Sequence, residues 1–408
     1  MLYTKKDCGP LSSGGWGCKN FAGTGEPDLE ERMAYLDNAA TTRVCDEAAR
    51  AAVEMMQTCY GNPSSLHRLG AASARRLAEA REAVAQLLGC QPECVYFTSG
   101  GSEANNLAIF GAAEAKKRRA DEIVTTTAEH SSVGAAVKHL EDQGWKVTRI
   151  HPDQSGQIDP EAVAQAVTGR TALVSMMMVN NETGALFPVE EAAALIRRKN
   201  PETLIHWDGV QAFGKLPLKA ARMEVDLLSV SGHKIQGPKG SGALDVRRGV
   251  RVLPLIYGGG QERGIRSGTE GLPALVAMGA ACQRLQGQLP ALWKRTAGLR
   301  DSLLERLEGI PQVRVNSPAD ASPYILNFSV PGYRSENMLH FLESRGVFVS
   351  SGSACSKGAV SPVLTSMGLP PAVVDSALRV SLIYDTQPED LDQLLSALQE
   401  GIATVAHR

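Results

Sequence analysis

The chain has 408 residues, with 42 Lys plus Arg against 44 Asp plus Glu, a formal balance of −2. That near-neutral balance supplies no basic field for a nucleic acid, and 43% hydrophobic with 21% charged residues excludes a disordered chain. No apolar run reaches the roughly 18 residues of a membrane-spanning helix, and a chain this long buries enough surface to need no disulfide staples.

Residues 1–32 are rich in turn formers and aperiodic, as in Gly9-Pro10 and Gly23-Thr24-Gly25. They are expected to form a disordered N-terminal extension without a secretory signal, with the ordered chain starting near Met33. A helix is expected over 71–88, where Leu77, Val84, Leu87 and Leu88 form a stripe broken by Arg81. Val95–Thr98 reads as a strand, Ser99-Gly100-Gly101-Ser102 as a turn, and a helix follows from about Glu103. Further strands are expected at 123–127, 146–150, 171–179, 203–207 and 226–230, with helical stretches between most of them. Met176-Met177-Met178 falls inside an apolar run and reads as core. This βαβα rhythm argues an α/β fold with a mostly parallel sheet and helices on both faces. Near residue 271 the pattern changes to long helix, and the C-terminal third, mixing strands and helices, reads as a second, smaller domain.

Eight cysteines are scattered along the chain. Cys90 and Cys94 stand four apart with no matching pair or His doublet, which is not zinc spacing, so no metal site is expected. Unpatterned cysteines in a chain this long read as reduced and cytoplasmic.

In open α/β sheets ligands bind beyond the carboxyl ends of the strands. The expected strand ends carry Thr98-Ser-Gly-Gly-Ser-Glu103, Ala128-Glu-His130, Asn180-Asn-Glu-Thr-Gly184, Asp208 with Gln211, and Ser231-Gly-His-Lys234. Together they describe one polar site on one rim. The turn ending at Ser102 suits a phosphate at a helix N-terminus, and equally an ordinary N-capped turn. No GxGxxG follows a strand. Gly209–Leu216 nearly matches a phosphate-binding ATP loop, but Leu216 replaces the hydroxyl that would hold Mg²⁺ and Pro217 opposes a continuing helix, which excludes ATP. One phosphate site, one lysine, one acid and one stacking ring suit pyridoxal phosphate (PLP), whose ring is an electron sink. Asp208 and Lys234 lie one crossover plus one strand apart, so both can reach the rim. Taken singly, Lys234 also reads as a solvated lysine, His130 as a satisfied strand-end residue and Asp208 as a helix cap.

From about Tyr35 to near the C-terminus the sequence resembles the cysteine desulfurases, the NifS/IscS-like group of the class V aminotransferase family. The resemblance rests on Tyr35-Leu-Asp-Asn-Ala-Ala-Thr-Thr42, Gly61-Asn-Pro-Ser64, Thr98–Glu103, Glu129-His130, Val179-Asn-Asn-Glu182, Trp207-Asp208 with Gln211, and Ser231–Lys234. It continues through Gly258–Gly264, Arg266-Ser-Gly-Thr269, Ser350-Ser-Gly-Ser-Ala-Cys355 and Leu378-Arg379. It implies fold type I: a large PLP-binding domain, 47–280, with a seven-stranded-type sheet, and a smaller α+β domain from 33–46 and 281–408. It implies an enzyme that converts L-cysteine to L-alanine with the sulfur carried on Cys355 as a persulfide. Lys234 would hold PLP as a Schiff base and move the Cα proton, Asp208 would pair with the pyridinium, and His130 would stack on the ring and handle a substrate proton. Asn181 and Gln211 would hold the ring's oxygen side. Gly101, Ser102, Ser231 and His233 would hold the phosphate, with Thr269 reaching the phosphate of a second subunit in a homodimer. Arg379 would clamp the substrate carboxylate, with Asn38 and Asn181 also facing substrate. The sequence departs from the group's usual pattern at Gly101-Ser102, where Ala-Thr is common, and around Asp208, which stands between Trp207 and Gly209-Val210.

The small, Gly-flanked residues around Cys355 lead us to expect an easily moved backbone, and either Lys357 or His130 as the group that activates the thiol. The sulfur acceptor is expected to be a protein such as an iron–sulfur scaffold, or a thiolation pathway, with no nucleic-acid or membrane partner. The competing readings are a selenocysteine lyase or another class V lyase or aminotransferase, and a PLP-free docking scaffold.

Overall fold

The computed structural model describes residues 33–351 and 361–407; the expected extension at 1–32 and the segment holding Cys355 lie outside the described residues. In chain order the elements are β1 (Ala34–Tyr35), α1 (Asp46–Gln57), α2 (Arg68–Leu88), β2 (Val95–Thr98), α3 (Gly101–Lys116), β3 (Glu122–Thr126), α4 (Ser131–Asp142) and β4 (Lys146–Ile150). They continue with α5 (Pro160–Ala166), β5 (Thr171–Met177), α6 (Val189–Lys199), β6 (Leu204–Asp208), β7 (Leu227–Ser231) and β8 (Gly242–Val246). Then come α7 (Leu272–Leu285), α8 (Leu289–Glu308), β9 (Arg314–Val315), β10 (Ile325–Ser329), α9 (Ser335–Glu343) and β11 (Val347–Phe348). The chain closes with α10 (Pro362–Ser366), α11 (Pro371–Asp375), β12 (Ala377–Ser381) and α12 (Pro388–Thr404).

The main sheet has seven strands in the order β2-β8-β7-β6-β5-β3-β4. β8 is antiparallel to both its neighbours and every other pair is parallel, so six strands end on one rim. The expected mostly parallel α/β sheet is what forms. β5 is buried along its whole length, as a strand covered on both faces must be, and its apolar run includes Met176 and Met177. It stops at Met177 rather than Val179 because the chain then turns back on itself: Phe187 N–H donates to Met178 O and Val179 bridges Leu186. β8 had no counterpart in the sequence reading; it is five residues long, and its Asp245 interrupts the apolar pattern.

The helix expected over 71–88 begins three residues earlier, where His67 accepts from Gly70 N–H, and ends at Gly89 in the left-handed region. Arg81 breaks its stripe for a reason: Nη1 and Nη2 both reach the buried Glu262 carboxylate, and the guanidinium lies 4.5 Å from the Phe97 ring centroid. The long helix expected after 271 is two helices, α7 and α8. Gly287 (φ 72°) and Pro290 in the first turn of α8 make the break.

Three apolar cores result. One holds α1, α2 and α7 against one face of the main sheet, and a second holds α3 and α4 against the other. The third surrounds the three-stranded sheet β12-β10-β9 and takes Ala34 and Leu36 from the start of the described chain. α8 spans two cores: Leu289 belongs to the first and Leu303 and Leu307 to the third. Among the described residues no helix is long and apolar enough to cross a membrane.

Candidate active site

The rim gathers the strand-end residues. β2 runs through Ser99 and Gly100 into α3, and Gly100, at φ 154°, holds a backbone conformation that suits glycine. A Cβ on Gly101 would come within 2.6 Å of Val210 Cγ2, so this turn packs closely against the segment after Asp208. Glu103 would oppose an anion at the helix start, but Arg266 and Ser99 hold it from both sides. Burial opposes ionisation there, yet those bonds keep the carboxyl below its ordinary range. Ser102 is exposed beside this turn. Ser231, at the end of β7, is buried and its Oγ has no protein partner.

Asp208 ends β6 and is buried. Its Oδ2 accepts from Asn105 Nδ2 at 2.7 Å and its Oδ1 from Val210 N–H at 3.0 Å. Both donors are neutral, and a carboxylate has lone pairs for more. Asn105 also donates to Ser132 Oγ at 2.9 Å, and Ser132 Oγ lies 2.8 Å from His130 Nδ1. Because Nδ1 also accepts from Ser132 N–H, it is unprotonated and the neutral ring carries its proton on Nε2. Burial pushes the His130 pKa down, with Lys234 adding to the effect and Asp208 opposing it. Asn105 was missed by the sequence reading. The signal available was the pair Asn105-Asn106, of which Asn105 falls with Ala104, Leu107, Ala108 and Ile109 on the buried face of α3.

Glu129 precedes His130 and had no assigned role. Its Oε1 accepts from Thr126 Oγ1 and from Met177 N–H, so it ties the loop bearing His130 to β5. Burial pushes its carboxyl up to about 8, against the Thr126 bond and with help from the Asp208 charge.

Lys234 closes a short turn after β7, and its Nζ donates to the carbonyls of Ala39 and Ala40. His233 faces Thr41 Oγ1 at 3.1 Å, and its pKa is pushed down to about 4 by burial and by neighbouring cations, Lys234 first. Gln211 Nε2 donates to Ala39 O at 2.9 Å, so one carbonyl receives both Gln211 and Lys234.

Where the main sheet meets the third core, Arg379 in β12 is 2% exposed. Its Nη1 donates to Asn181 O at 2.8 Å and its Nη2 to Asp37 Oδ1 at 2.9 Å. Asn38 Nδ2 donates to Tyr35 O and Ser381 O, which leaves Oδ1 as its acceptor for any further contact. Glu182 is buried behind Asn181 and accepts from Ser361 Oγ; burial raises its pKa against that bond. Thr269 is exposed, and nearby Arg266 is tied to α3 through Glu103.

The class-V aminotransferase model matches residues 34–394. The chain belongs to the class-V aminotransferases. It is 42% identical over 370 residues to a protein named cysteine desulfurase 2 from Trichormus variabilis, covering 90% of this chain and 92% of that one. It is 36% identical over 374 residues to cysteine desulfurase IscS of Methanosarcina thermophila, covering 91% and 92%. A solved NifS-like protein superposes with a TM-score of 0.87 at 35% identity, covering 92% of this chain and all of that one.

Enzymes of this class-V family are PLP-dependent, and the rim fits the cofactor. The buried Ser231 Oγ lacks a partner beside the start of α3, as a phosphate site would leave it. Asp208 holds two neutral donors and, among the described residues, no cation within ion-pair distance, as a carboxylate awaiting a pyridinium would.

Proposed function

We propose that this class-V chain is a cysteine desulfurase in which Lys234, Asp208, His130, Arg379 and Cys355 carry the reaction. The observation that carries the reading is the gathering of one lysine, one buried acid and one orphaned hydroxyl on the rim, with a buried arginine beside them. Bound PLP supplies an electron sink that stabilises charge developing at the substrate Cα. Lys234 holds the cofactor and moves the Cα proton through Nζ. Asp208 keeps the ring nitrogen protonated by accepting its N–H, with Asn105 fixing the carboxylate's orientation. Gln211 and Asn181 line the ring's oxygen side. Gly101, Ser102, Ser231 and His233 cradle the phosphate. His130 covers the ring and offers the Nε2 proton to the substrate. Arg379 receives the substrate carboxylate with its planar fork, and Asn38 borders the same space. The Cys355 thiolate would attack the substrate sulfur and take it as a persulfide, the carbon–sulfur electron pair passing to the substrate carbon; a proton taken up at Cβ and the Cα proton returned by Lys234 would then leave L-alanine.

This reading divides the chain into a large domain, 47–280, around the cofactor and a smaller one, 33–46 with 281–408, whose described residues carry the third core and also pack against the first. A homodimer is favoured by exposed apolar side chains in two segments, Val53, Met56, Tyr60, Leu66 and Leu69, and Leu255, Ile256 and Tyr257. In that dimer the exposed Thr269 reaches the partner's phosphate. Cytoplasmic residence suits the free thiols of Cys45, Cys59, Cys90, Cys94 and Cys282. The sulfur goes to a protein acceptor such as an iron–sulfur scaffold. The test is turnover of L-cysteine with a reducing thiol: alanine and sulfide form in equal amounts. Turnover that requires a keto acid, or that occurs with selenocysteine alone, overturns the reading.

A further inference from the structure

The near match to an ATP loop left one lysine without a role. Lys215 follows Gly214, whose φ of 68° and close approach to Ile235, 2.6 Å from an added Cβ, make the sharp turn that drives the next side chain inward. Lys215 is 1% exposed. Its Nζ donates to Gln211 Oε1 at 3.0 Å and lies 5.5 Å from the Tyr324 ring centroid. Tyr324 packs edge-on against Trp293 and Tyr384, and Tyr384 Oη donates to Gly214 O, so an aromatic wall closes the space. Among the described residues no carboxylate lies within ion-pair distance of Lys215. A buried ammonium without an acid is costly, and it is held by an amide and a ring face.

The amide it holds is the one that matters. With Oε1 committed to Lys215, the Gln211 Nε2 points at Ala39 O, the same carbonyl that receives Lys234 Nζ. We propose that Lys215 is a positioning residue of the active site: it fixes the Gln211 amide, and Gln211 fixes the Ala39 carbonyl that receives Lys234. This rests on the reading of Lys234 as the cofactor lysine.

The relay depends on charge. An ammonium can only donate, which sets the amide one way round; a neutral amine can accept as well as donate, so it no longer enforces that orientation. The charged or titratable groups facing Lys215 are Lys234, Arg379, His233, Tyr324 and Tyr384. Burial, then the Lys234 and Arg379 cations, push the Lys215 pKa down to about 7. Burial pushes the Tyr324 phenol up to about 12 and raises Tyr384, so both stay neutral. His233, pushed down to about 4, is neutral as well.

The test is Lys215→Met in the full chain loaded with PLP. The variant is expected to bind PLP on Lys234, shown by borohydride trapping and peptide mapping. The pH midpoint of its visible absorbance is expected to move by about half a unit or more. Its kcat is expected to fall about tenfold with KM for cysteine changed less than about twofold. Gln211→Ala should shift the midpoint in the same way, and Lys215→Met should add nothing in that background. A change in melting temperature with an unmoved midpoint, or additive shifts in the double variant, overturns the proposal. If Lys215→Met does not fold, Gln211→Leu cuts the relay one residue on, and an unmoved midpoint there overturns it too. Trapping of wild-type PLP on another lysine would instead sink the reading of Lys234 itself.

Discussion

The two ends of the site are built differently. At the proposed phosphate end, Gly101, Ser102, Ser231 and His233 hang from the ends of two parallel strands of one sheet, and an added Cβ on Gly101 would lie 3.5 Å from Ser231 Cβ. At the proposed substrate end, Arg379 and Asp37 are held together beside the third core, and Arg379 Nη1 crosses to Asn181 O in the loop beyond β5. The first end is a product of a continuous hydrogen-bonded sheet. The second exists only when the third core docks beside that sheet. Cofactor binding is therefore the sturdier property, and substrate binding is more exposed to small shifts between cores.

The largest effects come from residues both ends need. Lys234→Ala is expected to lose the visible absorbance of bound PLP and to lower turnover by roughly a thousandfold or more. Cys355→Ala is expected to keep that absorbance and bind cysteine, yet form no persulfide and release no alanine above background. A variant of Cys45, Cys59, Cys90, Cys94 or Cys282 that proves essential while Cys355→Ala stays active would break the assignment.

Next is Asp208→Asn, which changes only the rim. The amide oxygen can keep Val210 N–H, and Asn105 can turn its own unpartnered Oδ1 to accept from the new NH2, so the fold should hold. The ring nitrogen loses its charge partner, and kcat is expected to fall about a hundredfold while PLP binding weakens less. Near-normal turnover would contradict the role.

That contrast also marks what could be read from the sequence. The rim was legible because each of its motifs is local: a strand, then a glycine turn or a charged residue within a few positions. β2 and β4 fell on the expected residues, and the strands expected at 123–127, 203–207 and 226–230 form one residue away. β8 was not legible because a strand held between two neighbours by backbone bonds needs no alternation of its own, and Asp245 is buried within it. Asn105 was equally hidden. Its role depends on α3 lying over β6 and α4, which no local pattern states. Arg379 could be named through family resemblance, but its partners Asp37 and Asn181 come from packing.

Arg379→Lys probes the substrate end alone. An ammonium cannot serve Asn181 O, Asp37 and a substrate carboxylate with one planar fork. KM for cysteine is expected to rise about ten- to a hundredfold with PLP absorbance unchanged, which corresponds to one or two charge-assisted bonds lost. A matching loss of PLP affinity would mean the two ends are not separable.

The smallest effect is the most diagnostic of the rim. Without a ligand the Ser231 hydroxyl is buried with no partner. An unsatisfied buried polar group costs about 1–3 kcal/mol, so removing it in Ser231→Ala should leave the PLP-free protein as stable as the wild type or more so. With PLP bound, the same hydroxyl gains a phosphate oxygen to donate to. Its loss should then weaken PLP binding about five- to tenfold. The signature is an opposite sign in the two states: melting temperature unchanged or raised without cofactor, and lowered relative to wild type with it. Thermal melts at matched PLP concentrations read both. If the substitution lowers both melts equally, Ser231 serves the fold and the phosphate rests on other groups.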